Sequence, residues 1–196
     1  DQVAPYQILT ITLGVLINML DGFDILSMSF ATNGVKAQWQ LNEQALGFLL
    51  SAGLIGMALG SLANGLAADR FGRRRQILIN TLWVGFGMSA CAIATSVNAL
   101  GLCRFVTGLG IGGIIANGAV IVSEYAPARW KGAVLALYAT GYSIGATIGG
   151  AIVSELIPTY GWRAAFWLGA SASFLIWPIL WQFLPESIAF LQCNSD

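Results

Sequence analysis

Charged residues are scarce in this sequence, and histidine is absent from it. Of the 196 residues, 57% are hydrophobic and 9% are charged, whereas about 25% of the residues in an ordinary soluble domain are charged. Nine acidic and nine basic side chains cannot cover the surface of a soluble globule of this size. The composition therefore excludes a soluble enzyme, and a net charge of zero argues against a nucleic-acid partner.

Cysteine is scarce as well. The three cysteines include no CxxC pair, and without histidine they cannot complete a zinc site or a redox motif. We therefore expect no metal ion and no organic cofactor.

Glycine and long apolar runs are present in excess. Glycine accounts for 24 of the 196 residues, well above the roughly 7% of average usage, and closely packed membrane helices favour small residues. Six apolar runs are long enough to cross about 30 Å of hydrocarbon. The predicted fold is all-α, a polytopic membrane protein with six transmembrane helices at residues 7–30, 45–68, 77–97, 99–123, 132–157 and 164–184.

The basic residues predict the orientation of these helices. The loops on one side of the membrane carry six of them and the other side only two, and cytoplasmic loops are the ones enriched in lysine and arginine. Both ends of the segment are therefore predicted to lie in the cytoplasm. The six cytoplasmic residues are Arg70, Arg73, Arg74, Arg75, Arg129 and Lys131, against Lys36 and Arg163 outside.

Helix one contains the motif NMLDGFDIL, whose polar residues Asn18, Asp21 and Asp24 recur every three positions and so lie near one face. A carboxylate in hydrocarbon is costly and normally faces a cavity or a partner. At 1.5 Å per residue, Asp21 would lie about 20 Å from the cytoplasmic end. The alternative is that helix one ends early and leaves both aspartates in the outer loop.

Arg104 in helix four is expected at about the same depth as Asp21 and Asp24. Three charges at one level predict a partly buried ion pair or triad, which is costly if it is only structural. Arg104 could also bind a substrate carboxylate through two hydrogen bonds. A purely structural bridge to the aspartates remains the alternative.

Three further polar residues are candidates for lining an interior cavity. Tyr138 and Tyr142 lie one turn apart in helix five, and buried phenols need partners. Asn117 in helix four should face the interior rather than lipid. Ordinary core packing is the alternative for all three.

A second candidate cluster lies at the cytoplasmic ends of helices two and four. Asp69 lies at a helix C-terminus, where the helix dipole disfavours an anion, so a positive group should compensate it. Gly65 shares its face, one turn away, and this face is expected to pack closely on a neighbour. Glu124 ends helix four, so a charge network between Asp69, the arginines and Glu124 is predicted, with a plain surface salt bridge as the alternative.

Small-residue stripes favour close helix contacts. Helix five carries Gly141, Gly145 and Gly149, helix two carries Gly56 and Gly60, and helix four carries Gly108 and Gly112. Static packing and functional sliding are both compatible with these stripes.

Four motifs together resemble the N-terminal half of a major facilitator superfamily transporter. They are GLAADRFGRRR between helices two and three, CRFVTGLGIGG in helix four, SEYAPARWKG after it, and LPESIAFL closing helix six. The resemblance implies that residues 1–196 form the first six helices of a twelve-helix fold whose C-terminal half is absent. It also implies a substrate site between the two halves.

The motif LDGFDIL further resembles helix one of the aromatic acid:proton symporter family. That resemblance implies that Asp21 and Asp24 are required for transport and that Arg104 matches the family's helix-four arginine. It also matches Asp69, Arg70 and Gly72 to the family's signature loop. The candidate conformational gate comprises Gly65, Asp69, Arg70, Gly72, Arg73, Arg74 and Glu124.

The expected function is proton-coupled import of an aromatic or related carboxylic acid by alternating access, with the proton as the coupling ion. Candidate substrates are benzoate, hydroxybenzoate, protocatechuate, vanillate and cis,cis-muconate. The site would bind the substrate and proton through Asn18, Asp21, Asp24, Arg104, Asn117, Tyr138 and Tyr142. The expected surroundings are lipids of a bacterial inner membrane.

Three alternatives to this function remain. The first is a major facilitator transporter for a sugar or another organic anion. The second is a receptor or scaffold that kept the fold without transporting. The third, an intramembrane aspartyl protease, fits poorly because its two carboxylates face one another from separate helices, whereas Asp21 and Asp24 lie on one helix.

Overall fold

The computed structural model describes residues 5–193 and consists of helices joined by short connections. Six of the helices are long and apolar enough to cross a membrane, which confirms the predicted fold class. The helices are α1 (Pro5–Trp39), α2 (Glu43–Phe71), α3 (Arg73–Ile93), α4 (Val97–Tyr125), α5 (Lys131–Tyr160), α6 (Arg163–Phe183) and the short α7 (Ile188–Cys193), with a 3₁₀ turn at Ala128–Trp130.

The connections between the helices are stabilised by local hydrogen bonds. The Asn42 side chain accepts a hydrogen bond from the Ala45 amide (2.8 Å) and caps α2, and Ser96 caps α4 in the same way through Ala99 (3.2 Å). Gly72 alone separates α2 from α3, with a φ of 92° that side-chain-bearing residues rarely adopt. The helices therefore follow one another with little intervening loop.

Helix α1 is longer than its apolar run. It extends to Trp39, nine residues beyond the predicted end at residue 30, and its last turn contains Lys36, which forms an ion pair with Glu43 at the start of α2. Polar residues in the extension match a helix that continues past the hydrocarbon into water. Asp21 and Asp24 therefore lie near the middle of α1 rather than in a loop.

Two close helix pairs, α2 with α4 and α1 with α5, form the bundle, and α3 packs against α4 and α6. In the first pair, a Cβ at Gly56 or Gly60 would overlap the carbonyl groups of Phe105 and Leu109. The stripe on α4 is reciprocal, because Gly108 and Gly112 lie against the backbones of Gly53 and Met57. The predicted close contact of the glycine stripes is confirmed here.

The α1–α5 pair also makes close backbone contacts at glycines. A Cβ at Gly22 would overlap the carbonyl of Tyr142, and one at Gly145 would overlap the carbonyl of Met19. Gly65 differs from the prediction, because within the described residues nothing lies within 4 Å of its Cβ position. Its face of α2 is partly exposed, since α4 packs on the face that carries Gly56 and Gly60.

We expect Gly145→Ala to destabilise the bundle by about 1–3 kcal/mol, because the added methyl group must displace the α1 backbone. The matched control is Gly132→Ala in the same helix, where nothing lies within 4 Å of the Cβ position. That change should not lower the stability, because the added methyl group meets no neighbouring atom. Thermal unfolding of the purified protein in detergent measures both, and equal midpoints for the two variants would contradict close α1–α5 packing at Gly145.

Candidate functional site

The polar residues of α1 lie inside the helix bundle. Asn18 is 4% exposed, and Asp21 and Asp24 are fully buried. All four carboxyl oxygens of the two aspartates lack a hydrogen-bond partner among the described residues. An ionised carboxyl group that is buried without a partner is unfavourable.

The two aspartates face different helices. A Cβ placed at Gly169 in α6 would lie 2.5 Å from Oδ1 of Asp24, and Met88 of α3 borders the same space. Asp21 instead interacts electrostatically with the phenols of Tyr138 and Tyr142 in α5. The two carboxyl groups thus have different neighbouring helices, although they are only three residues apart and close enough to interact with each other.

Arg104 lies against α1, but it does not form the predicted ion pair. Its Nη1 donates to the Asp24 carbonyl (3.2 Å) and to Oγ of Ser27 (3.3 Å), and its Nη2 donates to the Ile25 carbonyl (3.3 Å). No carboxylate of the described chain lies within 4.0 Å of its nitrogens; the ion pairs found there are Lys36–Glu43 and Asp69–Arg73. The physical reason is direction, since the Asp24 side chain points to α6 and α3 while its carbonyl faces Arg104.

The remaining candidates of the substrate group lie on α1, α4 and α5. Asn18 donates from Nδ2 to the Tyr138 carbonyl at 2.5 Å, and the buried Tyr138 hydroxyl has no partner among the described residues. That hydroxyl lies beside α4, since a Cβ at Gly118 would be 2.8 Å from it. Asn117 lies 13 residues beyond Arg104 on α4, about 20 Å along the axis, and its side chain accepts a hydrogen bond from Arg73 (3.2 Å).

The second candidate cluster, around the α2–α3 junction, includes a positive partner for Asp69, as predicted. Arg73 donates from Nη2 to Asp69 (2.9 Å) and from Nη1 to Asn117 (3.2 Å), so it joins α2, α3 and α4. Arg70 contacts no carboxylate in the described part of the chain, and its guanidinium lies 5.9 Å from the centre of the Phe71 ring. A Cβ at Gly72 would lie 2.6 Å from a carboxylate oxygen of Glu186.

Glu124 does not join this network, contrary to the prediction. Its carboxylate accepts hydrogen bonds from Oγ of Ser187 (2.8 and 3.0 Å) and from the Ile188 amide (2.8 Å). The amides at the start of α7 have no partner within that helix, so they bind the nearest carboxylate.

Glu186 is the acidic partner of Arg74 at the start of α3, and the sequence analysis did not predict it. Its Oε1 accepts a hydrogen bond from the Arg74 amide (2.9 Å), and Nη2 of Arg74 donates to the Trp181 carbonyl (2.5 Å). The signal was available in the motif LPES, which contains Glu186 and Ser187. Within residues 5–193 no cluster of three metal-ligating side chains is found.

Comparison with known proteins identifies transporters among the relatives of this chain. The chain is 38% identical over 186 residues to a 4-hydroxybenzoate transporter, PcaK, of Acinetobacter baylyi, covering 95% of this chain and 41% of that protein. It is 35% identical over 193 residues to a gallate transporter of Pseudomonas putida, covering 98% and 43%. The chain therefore spans less than half the length of these relatives.

A solved structure shows the same fold. The proton:xylose symporter XylE, bound to 6-bromo-6-deoxy-D-glucose, superposes with a TM-score of 0.88 at 21% identity, covering 98% of this chain and 48% of that one. The sequence pattern of the Major Facilitator Superfamily matches residues 11–189. Because that match spans nearly the whole chain, the protein belongs to the major facilitator superfamily, a family of transporters and not of enzymes.

Proposed function

We propose that residues 1–196 form the N-terminal half of a twelve-helix transporter that imports an aromatic or related carboxylic acid together with a proton. The observation that carries the proposal is the buried pair Asp21 and Asp24, without hydrogen-bond partners in the described chain, beside the buried guanidinium of Arg104. The names of its relatives support the substrate class, since they include transporters of 4-hydroxybenzoate and gallate.

Arg104 is the cation proposed to attract the substrate. Among the lysines and arginines of residues 5–193 it alone is buried, at 4% exposure, whereas the others lie near helix ends. A carboxylate that enters the bundle from the membrane surface would find no other cation at this depth. Arginine suits this role because its planar fork binds a carboxylate through two hydrogen bonds.

The proton is proposed to bind Asp24 or Asp21. Asp24 is linked to Arg104 through its own carbonyl group, so neutralising its carboxyl group removes a negative charge close to the guanidinium. The substrate carboxylate would then meet a stronger net positive field. Asp21 offers a second position, beside Asn18, Tyr138 and Tyr142.

Alternating access is proposed to involve the second half of the protein. The helices α2 and α5 are the least buried of the six spans, and we assign their open faces to contact with that half. The substrate would bind between the halves near the midplane, with lipids of a bacterial inner membrane around the other faces and both ends of this segment in the cytoplasm.

The cytoplasmic cluster is proposed to act as the inner gate. It comprises the residues around the α2–α3 junction, where Arg73 joins three helices, together with the end of α4. Glu124 would contribute by binding the start of α7, and Arg74 by binding the Trp181 carbonyl at the end of α6, rather than by pairing with each other. The proposed gate residues are Gly65, Asp69, Arg70, Gly72, Arg73, Arg74 and Glu124.

The first test is uptake of labelled 4-hydroxybenzoate by cells that produce the full-length protein containing this chain. Unlabelled benzoate, protocatechuate, vanillate and cis,cis-muconate serve as competitors, and a protonophore is added in a parallel series. We expect accumulation that the protonophore abolishes and that at least one of these acids inhibits. If neither uptake nor competition were observed, the substrate would be a sugar or another organic anion instead.

The second prediction concerns Asp24→Asn, which keeps the shape of the side chain but cannot exchange a proton. We expect it to abolish accumulation while the protein remains at its normal abundance in the membrane. The control is Glu43→Gln, which removes an exposed carboxylate paired with Lys36 and should leave uptake within about twofold, because such surface pairs contribute little. Normal accumulation by Asp24→Asn would rule out its role in coupling.

The third prediction concerns Arg73→Lys. A lysine ammonium cannot reproduce the fork that binds Asp69 and Asn117 together, so we expect the initial uptake rate to fall about tenfold, in proportion to a loss of roughly 1.4 kcal/mol. The matched control is Arg75→Lys, since Arg75 is exposed and lies outside this network. Equal uptake rates for the two variants would remove Arg73 from the gate.

A further inference from the structure

Helices α3 and α4 pack closely, in opposite directions, over several turns. A Cβ at Gly87 would lie 3.3 Å from Cα of Thr107, and a Cβ at Gly110 would lie 2.9 Å from Cγ2 of Val84. Moving three residues back on α3 therefore moves three residues forward on α4, which is an antiparallel register. The contact with Cα of Thr107 shows that the two backbones approach each other directly at Gly87.

Two cysteines occupy the next turn of this contact. Cys91 lies four residues after Gly87, and Cys103 lies four residues before Thr107, so the register places the two cysteines opposite each other. Both are free thiols, and they are close enough to interact with each other. Because twelve positions separate them, the pair is not visible as a CxxC motif in the sequence.

Thr107 directs the Cys91 thiol towards α4. The Thr107 hydroxyl donates its proton to the Cys103 carbonyl (2.7 Å), and its oxygen lies 3.9 Å from Sγ of Cys91. Since a hydroxyl group has one proton to donate, the Cys91 thiol is the donor in this second contact. Sγ of Cys91 is therefore held in the contact between the helices rather than turned away from it.

The two thiols differ in accessibility. Cys91 is fully buried, whereas Cys103 is half-buried and follows Leu102, whose side chain is 64% exposed. Both cysteines lie within helices that are long and apolar enough to cross a membrane. A reagent that reaches the pair from the outside of the bundle must therefore be soluble in lipid, and it contacts Cys103 first.

We propose that Cys91 and Cys103 are an oxidation site, at which a lipid-soluble quinone converts the two thiols into a disulfide that links α3 to α4. The S–H bonds of both cysteines break and one S–S bond forms. The two electrons and two protons that are released reduce the quinone to the hydroquinone, so no further reactant is needed. The close approach of the backbones suits this bond, because the Cα atoms of a disulfide lie about 4.4–6.8 Å apart.

The two cysteines have different parts in this reaction. Sγ of the accessible Cys103 adds to the quinone, and Sγ of Cys91 then attacks Sγ of Cys103, which leaves the electrons of the broken bond on the ring. The attacking form of a cysteine is its thiolate. Arg104 follows Cys103 directly and is close enough to interact with Cys91, so a positive charge lies near the position where the thiolate forms.

The disulfide would join the helix that carries Arg104 covalently to α3. This inference depends on the packing of α3 against α4 and goes beyond the proposed function. It needs neither an aromatic substrate nor coupling to a proton.

The experiment treats the purified, reduced full-length protein in liposomes with decylubiquinone and then blocks the remaining thiols with N-ethylmaleimide. Trypsin cuts after Arg75 and Arg104, and no lysine or arginine lies between them, so both cysteines fall in the peptide 76–104. We expect this peptide to carry no maleimide and to be lighter by two hydrogen atoms in its mass spectrum. Dithiothreitol added after the quinone should restore two maleimides.

Two variants serve as controls. Cys91→Ser should leave one maleimide on Cys103 with and without the quinone. The distance control combines Cys91→Ser with Ser89→Cys, which keeps two thiols in the same peptide but moves one to another face of α3. We expect its disulfide to form at least about tenfold more slowly than in the wild-type protein, because cysteines whose Cβ vectors point apart cannot be bridged without backbone movement.

Three outcomes would overturn the oxidation site. They are two maleimides on the wild-type peptide after quinone treatment, a stable quinone adduct on Cys103, and equal rates of disulfide formation in the wild-type protein and the distance control. Size-exclusion chromatography of each variant separates misfolding from a real difference in rate. None of these outcomes involves uptake, so a failure of this inference is distinguishable from a failure of the proposed function.

Discussion

The guanidinium of Arg104 constrains the position of α1 in this bundle. A charged side chain within hydrocarbon costs several kcal/mol unless it is satisfied by oxygen atoms, and here two of those oxygens are backbone carbonyls of α1, at Asp24 and Ile25. A rotation or shift of α1 would remove both acceptors at once. The register of α1 against α4, and with it the placement of Asp21 and Asp24, depends on this contact.

Because backbone atoms hold the arginine, the carboxyl group of Asp24 stays available. A direct ion pair would tie the charge of Asp24 to that of Arg104 and would have to break before either could bind something else. In the observed arrangement the carboxyl group faces α6 and α3, and Arg104 is held without it. The Asp24 carboxyl group and the Arg104 guanidinium are therefore connected through the Asp24 carbonyl, and they do not compete for the same hydrogen bonds.

Much of this arrangement could be predicted from the sequence, because hydropathy and glycine spacing act locally. The apolar runs locate all six spans, and the stripes at Gly56, Gly60, Gly108 and Gly112 predict the backbone contacts between α2 and α4. The end of α1 could not be predicted this way, since residues 31–39 lie outside the apolar run, and the ion pair of Lys36 with Glu43 is not visible in a hydropathy pattern.

The partners of the charged residues were harder to predict. Depth along the helices correctly brings Arg104 to the level of Asp24, but every residue has a carbonyl group, so a side chain that binds backbone leaves no trace in the sequence. Glu124 illustrates a second limit. Its position near the arginines follows from the topology of the helices. Its hydrogen bond from Ser187, however, depends on the path of the chain between α6 and α7. The hydrogen bond from Arg73 to Asn117 could not be predicted either, because the two residues come together only when α3 and α4 pack.

The reciprocal glycine contacts have a mechanical consequence. Where backbone lies against backbone on consecutive turns, as between α2 and α4, even one added methyl group would have to push the two helices apart. The two helices are therefore closely packed along several turns. Arg104 lies toward one end of this helix pair, and Asp69 and Asn117 lie toward the other, so a tilt of the pair as one unit would move both places together.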